Sequence, residues 1–234
     1  MGDFSYIRHN LDTVLAELSA HAQKAGRAAP RLVAVTKSAS DDEVLALAAC
    51  GVSHVAENRV QNFSARRALL QAHGFSPVLH LIGSLQKNKV KYLCDSVSLI
   101  QSVDSLPLAA EIERQAARLG RTVDVLCEVN SGREAAKGGV LPEQTLAFCR
   151  ALAGGDYPHL ALRGLMTMAP AMEDEEGYRP YFRATRALFD ACVEDGLFGN
   201  APILSMGMSD SYRVAAEEGA TMVRVGRGLF KKEK

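Results

Sequence analysis

The sequence predicts an α/β protein: a single closed TIM-type (β/α)8 barrel over residues 1–234, with one extra helix at its N-terminus. Three observations carry this. Eight short aliphatic runs recur along the chain. Segments with apolar residues at helical spacing separate most of them, so successive strands need crossover connections and lie parallel. Only residues 227–234 follow the eighth run, whereas an amphipathic segment precedes the first, so the N-terminus has to supply one wall helix.

In order, the N-terminal helix carries Ile7, Leu11, Val14, Leu15 and Leu18 on one stripe. The predicted strands are 32–37, 54–58, 78–83, 98–104, 122–130, 160–168, 203–209 and 222–226. Runs such as Leu32-Val33-Ala34-Val35 suit parallel strands covered on both faces. After the first strand, Val44, Leu45, Leu47 and Ala48 mark a helix; after the fourth, Leu106, Ala110, Ile112, Ala116 and Leu119 mark another. Gly138-Gly139 and Gly154-Gly155 read as loops within the barrel, with no repeat, low-complexity segment or linker. An open Rossmann-like sheet is the alternative, but no GxGxxG follows the first strand.

Composition narrows the function classes. Lysine plus arginine number 27 and aspartate plus glutamate 27, so there is no basic excess of the kind a general nucleic-acid binder needs. The charge runs Glu173-Asp174-Glu175-Glu176 and Lys231-Lys232-Glu233-Lys234 read as solvated segments. No apolar stretch approaches the roughly 20 residues of a membrane span, and Met1-Gly2-Asp3-Phe4-Ser5 does not open a secretory signal. Five scattered cysteines without a CxxC point to reduced thiols in a cytoplasmic protein, and the six histidines show no metal-ligand spacing.

Barrels of this class build their sites at the C-terminal ends of the strands. There the sequence places Lys37, Glu57-Asn58, His80 with Gly83, Asn130, Met166-Thr167-Met168, Gly207-Met208-Ser209 and Arg224 with Gly226-Arg227. Lys37 is the residue that draws the eye, because lysine ends a buried aliphatic run only with a partner or a purpose; it is equally readable as a solvated lysine at a strand exit. Gly207-Met208-Ser209 and Gly226-Arg227-Gly228 follow strands seven and eight, the recurrent phosphate site of the fold. Backbone N–H groups and the Ser209 hydroxyl would meet the anion there; alternatively the glycines only end strands and Ser209 caps a helix starting near Asp210. Arg224, two residues before Gly226, shares its strand face and could reach a ligand or form a salt bridge inside the barrel. A lysine facing a phosphate cup, with an arginine for a ring nitrogen, suits pyridoxal 5′-phosphate (PLP).

The chain resembles the pyridoxal-phosphate homeostasis proteins, the YggS-like family grouped with the alanine racemase N-terminal domain. The resemblance rests on the run Leu32-Val33-Ala34-Val35-Thr36-Lys37, on Glu57-Asn58-Arg59-Val60-Gln61, and on the segment from His80 through Gly83 and Gln86 to Lys89. It continues with Asn130, Lys137 and Gly139, with Arg163-Gly164-Leu165-Met166, with Leu204-Ser205-Met206-Gly207-Met208-Ser209 and with Val223-Arg224-Val225-Gly226. It implies a fold-type III barrel with PLP as a Schiff base on Lys37, its phosphate held by Ser209 and the backbone near Gly226 and Arg227, and Arg224 facing the ring nitrogen. Asn58, His80 and Met208 complete the expected cofactor-binding set, and Lys137 is the rival lysine. Four positions depart from the family pattern: Val55-Ala56 stands for Phe-Gly, Ser211 for an aspartate, and Arg227 for a Thr or Ser.

The resemblance implies a vitamin B6 carrier or regulator without established catalysis, whose partners are PLP and PLP-dependent apoenzymes, and a lone barrel makes the monomer the default. A small amino-acid racemase is the alternative. Related barrel racemases carry a second, β-rich domain, which this chain is too short to include, and an arginine at the pyridine nitrogen makes the ring a poorer electron sink.

Overall fold

Each of the eight aliphatic runs forms a parallel strand: β1 (Arg31–Val35), β2 (His54–Glu57), β3 (Val78–Leu81), β4 (Leu99–Val103), β5 (Val123–Val129), β6 (Leu160–Thr167), β7 (Ile203–Ser205) and β8 (Met222–Val225). In this computed structural model, which describes residues 3–232, they close in sequence order into one barrel, β8 pairing with β1. The helices are α1 (Ser5–Lys24), α2 (Asp41–Ala49), α3 (Val60–Ala72), α4 (Leu106–Arg118), α5 (Pro142–Ala153), α6 (Arg179–Glu194), α7 (Tyr212–Glu217) and α8 (Arg227–Phe230). Between β3 and β4 the connection is a 3₁₀ segment, Lys87–Tyr92.

Alternation along the strands divides the core in two. Val33, Val35, Ala56, Leu99, Leu126, Met166 and Met222 pack inside the barrel. A larger cluster lies between the sheet and the helices, where Phe63, Ile112, Phe182 and Leu229 are buried. The register pairs Val35 with Ala56 and Ala56 with His80, so His80 points inward.

The N-terminal helix does close the wall. Asn10 Nδ2 of α1 donates to the Leu229 carbonyl (3.2 Å) of α8 and to the Lys231 carbonyl (2.8 Å) just beyond it. Arg213 Nη1 and the Tyr212 hydroxyl of α7 both donate to Glu17 of α1. Its buried face is Ile7, Leu11, Val14, Leu18 and Ala22, while Leu15 is exposed, one step off the stripe. In α4 the buried face is Leu108, Ala109, Ile112, Gln115 and Ala116; Leu106, Ala110 and Leu119 face out, because Pro107 starts the helix in a phase the apolar spacing alone does not fix.

All eight strands end earlier than the aliphatic runs suggest, and the differences matter for the site. β1 ends at Val35: Thr36 N–H still reaches the Ala56 carbonyl (3.1 Å), then Ala39 N–H turns back to the Thr36 carbonyl (3.1 Å). Lys37 therefore sits in an exposed turn rather than on a buried strand. β7 ends at Ser205, and residues through Ser209 form a loop. Gly207 takes φ +91° there, and a Cβ on it would lie 2.4 Å from that of Ala215, so only glycine fits the turn. Of the charge runs, Glu175 accepts from Arg213 Nε (3.0 Å) rather than standing free in solvent. In the C-terminal run Lys231 and Lys232 are exposed, and Glu233 and Lys234 lie outside the described residues.

Candidate functional site

A cavity of about 670 Å³ opens where the loops after β1, β7 and β8 converge; its lining includes Val35, Lys37, Ser38, Ser209, Gly226, Arg227 and Gly228. Four of the sequence-predicted site residues, Lys37, Ser209, Gly226 and Arg227, thus meet in one place although up to 190 positions separate them in the chain (227 − 37). The closed barrel causes this: β1 and β8 are hydrogen-bonded neighbours, with Ala34 opposite Val225.

Gly228 N–H donates to Ser209 Oγ (3.2 Å), which ties the β7 and β8 loops together. That bond uses a lone pair of the Ser209 oxygen and leaves its proton for a ligand. Among the described residues, the backbone N–H groups of Ser209, Asp210, Gly226 and Arg227 have no protein acceptor. A Cβ at Gly226 would press against the Val35 carbonyl at 3.2 Å, so glycine keeps β1 and the β8 loop close. Ser211, where a family aspartate is expected, does not contact the cavity. Its Oγ accepts from Met208 N–H (3.1 Å), and its own N–H donates to the Met208 carbonyl (2.9 Å), so the hydroxyl secures the loop. Arg227 reaches back to Asp210 in an ion pair between exposed side chains.

The other predicted residues lie elsewhere. Arg224 is buried below the cavity: Nη1 donates to Ser205 Oγ (2.6 Å) and Nη2 to the Thr167 carbonyl (2.8 Å), while Nε has no protein acceptor among the described residues. Burial pulls its pKa down to about 10, partly offset by Glu128. It forms no ion pair inside the barrel among the described residues, the alternative the sequence left open. His80 is fully buried in the barrel interior, 2.8 Å from His54 Nδ1. Met208 is partly exposed beside the loop, and Asn58 lines a separate groove with Ser84 and Lys89. Lys137 lines a smaller cavity of about 120 Å³ with Glu128, Asn130 and Met168, and its Nζ bonds to Glu134 Oε2 (2.5 Å).

Sequence reasoning missed Arg66, on α3. Nη2 donates to the carbonyls of Thr36 (3.3 Å) and Ala39 (3.4 Å), bracketing the turn that carries Lys37. An arginine on the same helix face as Val60, Phe63 and Leu70 was the available signal: a cation on an apolar stripe must have buried partners. Among the described residues no group of three or more His, Cys, Asp or Glu is arranged to hold a metal ion, and no helix is long and apolar enough to cross a membrane.

The family model for the alanine racemase N-terminal domain matches residues 5–233. The pyridoxal phosphate homeostasis protein of Aquifex aeolicus is 39% identical over 226 residues, 96% of this chain and 97% of that protein. A crystal structure of an unknown protein from Bifidobacterium adolescentis superposes with a TM-score of 0.89 at 34% identity, covering 98% of this chain and 97% of the other. PipY of Synechococcus elongatus, solved with PLP bound, gives a TM-score of 0.82 at 29% identity, covering 96% of this chain and 100% of that one.

Proposed function

The chain belongs to the alanine racemase N-terminal domain family and, within it, to the pyridoxal phosphate homeostasis proteins, and from that premise we propose that it binds PLP and acts as a carrier or regulator of vitamin B6. The observation that carries the reading is the convergence of Lys37 with Ser209, Gly226 and Arg227 on one cavity of about 670 Å³. That volume lies in the range of roughly 300–1,000 Å³ typical of small-molecule sites. PipY, with PLP bound, supports the same ligand.

PLP supplies an electrophilic aldehyde, a phosphate and a pyridine nitrogen. Lys37 presents the primary amine that holds the aldehyde. The Ser209 hydroxyl and the unpaired N–H groups of Ser209, Asp210, Gly226 and Arg227 suit the phosphate: charged oxygens take strong hydrogen bonds from backbone donors. Arg224 keeps one donor, Nε, that is unpaired among the described residues, for the ring nitrogen. The carboxylates of the cavity wall do not favour a racemase: Glu43 accepts from Tyr6 and Ser40, and Asp210 pairs with Arg227, so neither is poised as a base opposite Lys37. The five cysteines are all unpaired, which fits a reducing cytoplasm. We assign the monomer as the working unit and PLP-dependent apoenzymes as acceptors.

Borohydride reduction of the protein incubated with PLP, followed by peptide mapping, is expected to place the pyridoxyl group on Lys37 and to lose it in Lys37→Ala. Label found only on Lys137 or another lysine overturns the assignment. PLP at about 100 times its dissociation constant should stabilise the fold by roughly 2.7 kcal/mol, and an unmoved melting temperature would overturn a specific site.

A further inference from the structure

The barrel interior contains a chain of polar side chains that runs on from Arg224 and, beyond Arg224 itself, is not used by the cofactor reading. Arg224 Nη1 donates to Ser205 Oγ (2.6 Å). The Ser205 hydroxyl donates to Gln101 Oε1 (2.7 Å). Gln101 Nε2 lies 3.0 Å from His80 Nδ1, and His80 Nε2 lies 2.8 Å from His54 Nδ1. Ser205 and Gln101 are fully buried, and His80 and Arg224 nearly so. Five residues from β2, β3, β4, β7 and β8 thus form one line across the barrel.

Donor and acceptor chemistry gives the line a direction. Arginine can only donate, so Ser205 Oγ accepts from it and spends its single proton on Gln101 Oε1. The Gln101 amide is fixed by a second contact: Nε2 also donates to Met222 Sδ (3.3 Å), so both amide protons have acceptors and the oxygen has its donor. His80 Nδ1 must then accept, which leaves the proton of the neutral ring on Nε2, directed at His54 Nδ1. A second proton on His80 would face the Gln101 amide donor. Burial opposes that proton most, and the charged or titratable groups His54 and Arg31 oppose it further.

We propose that Ser205, Gln101 and His80 are positioning residues for Arg224, with His80 held in its Nε2–H tautomer so that the line fixes the guanidinium and aims Nε toward the cofactor ring. The inference rests on the PLP reading for the identity of the ligand, though not for the line itself. Gln101 is the critical link, because it alone joins the histidine pair to the serine–arginine pair.

The test uses the full chain, PLP, and 1-deazapyridoxal 5′-phosphate, in which carbon replaces the ring nitrogen. Gln101→Leu is expected to weaken PLP binding about tenfold, the loss of roughly one hydrogen bond's worth of alignment, and to shift the absorbance of the bound cofactor. The deaza analogue should bind wild type and Gln101→Leu alike. Equal losses with both ligands mean that Gln101 only supports the fold, and no loss with either means that Arg224 needs no alignment; each overturns the proposal. ¹⁵N NMR of the ligand-free wild type supplies an independent arm, with His80 expected to carry its proton on Nε2 alone. A proton on Nδ1 overturns the line whether or not PLP binds. Wild type that fails to bind PLP while showing the Nε2–H tautomer overturns the cofactor reading and leaves the line standing.

Discussion

Arg66 Nε lies 3.1 Å from Glu57 Oε1, a buried ion pair between α3 and the end of β2 in which the carboxylate is fully shielded from solvent. Thr36 Oγ1 donates to the same oxygen (2.6 Å), while Glu57 Oε2 has no hydrogen-bond partner among the described residues. The pair spans the residues on either side of Lys37: Thr36 through its hydroxyl and carbonyl, Ala39 through its carbonyl. The turn that presents the lysine is therefore clamped from outside the barrel.

Arg66→Met should leave the Glu57 charge buried with only a hydroxyl donor, and cost about 3–5 kcal/mol in urea denaturation. Adding Glu57→Leu should recover much of this loss, because the double variant has no unpaired charge to bury. A single variant as stable as wild type would show that the pair contributes nothing to the fold.

Much of this was legible in the sequence, and the boundary has physical causes. The eight aliphatic runs gave away the closed barrel, because burial on both faces writes itself into consecutive residues. Lys37, Ser209, Gly226 and Arg227 could be paired because strand ends share one face in this fold. What pattern could not show was register. His54 and His80 lie 2.8 Å apart only because β2 and β3 align them, and no spacing along the chain encodes that contact. Leu15 and Leu106 read as buried because helical periodicity fixes a stripe only to within about one residue, and they lie at its margin. The partners of Gln101 and Ser205 were invisible for a related reason: a polar residue within an apolar run looks like a defect until its partners, drawn from distant strands, are known.

Ser209→Ala removes both the candidate phosphate donor and the acceptor of Gly228 N–H, which lies 3.2 Å away. Losing one hydrogen bond to a charged oxygen costs roughly 1.5–3 kcal/mol, so PLP affinity should fall by about one to two orders of magnitude in a fluorescence or absorbance titration. Borohydride should still label Lys37, since the amine is untouched. Unchanged affinity would move the anion site elsewhere.

Arg227 is tied to Asp210, and both side chains are largely exposed, so the pair itself contributes little to stability. Its guanidinium must leave Asp210, or share it, to meet a phosphate. Arg227→Ala should therefore weaken PLP by less than about tenfold and leave phosphate-free pyridoxal unaffected. Asp210→Asn, which releases the arginine, should strengthen PLP binding. Equal losses with PLP and pyridoxal in Arg227→Ala would mean that the residue supports the loop rather than the anion.

Glu128, inward-facing on β5, sets a pH dependence that can be isolated. Burial raises its carboxyl from 4.5 to about 7, Asp104 nearby adds to the rise, and Arg224 opposes it. Between those two values the folded protein keeps a proton that the unfolded chain has released, so stability falls as pH rises through the window. Glu128→Gln keeps the shape of the protonated acid and never ionises. The variant and wild type should match at about pH 4, where both forms of the acid are protonated, and by about pH 8 the variant should be more stable by up to about 3 kcal/mol. Comparing the two proteins at each pH cancels the opposite trend of His80, which burial holds down at about 3 and which therefore loses stability as pH falls below its unfolded value of 6.5. Urea denaturation across this range reads the difference directly. A stability gap that does not widen between about pH 4 and about pH 8 would mean that Glu128 ionises in the folded barrel as freely as in the unfolded chain, with Lys137 on the small cavity or the buried Arg224 supplying the compensating charge.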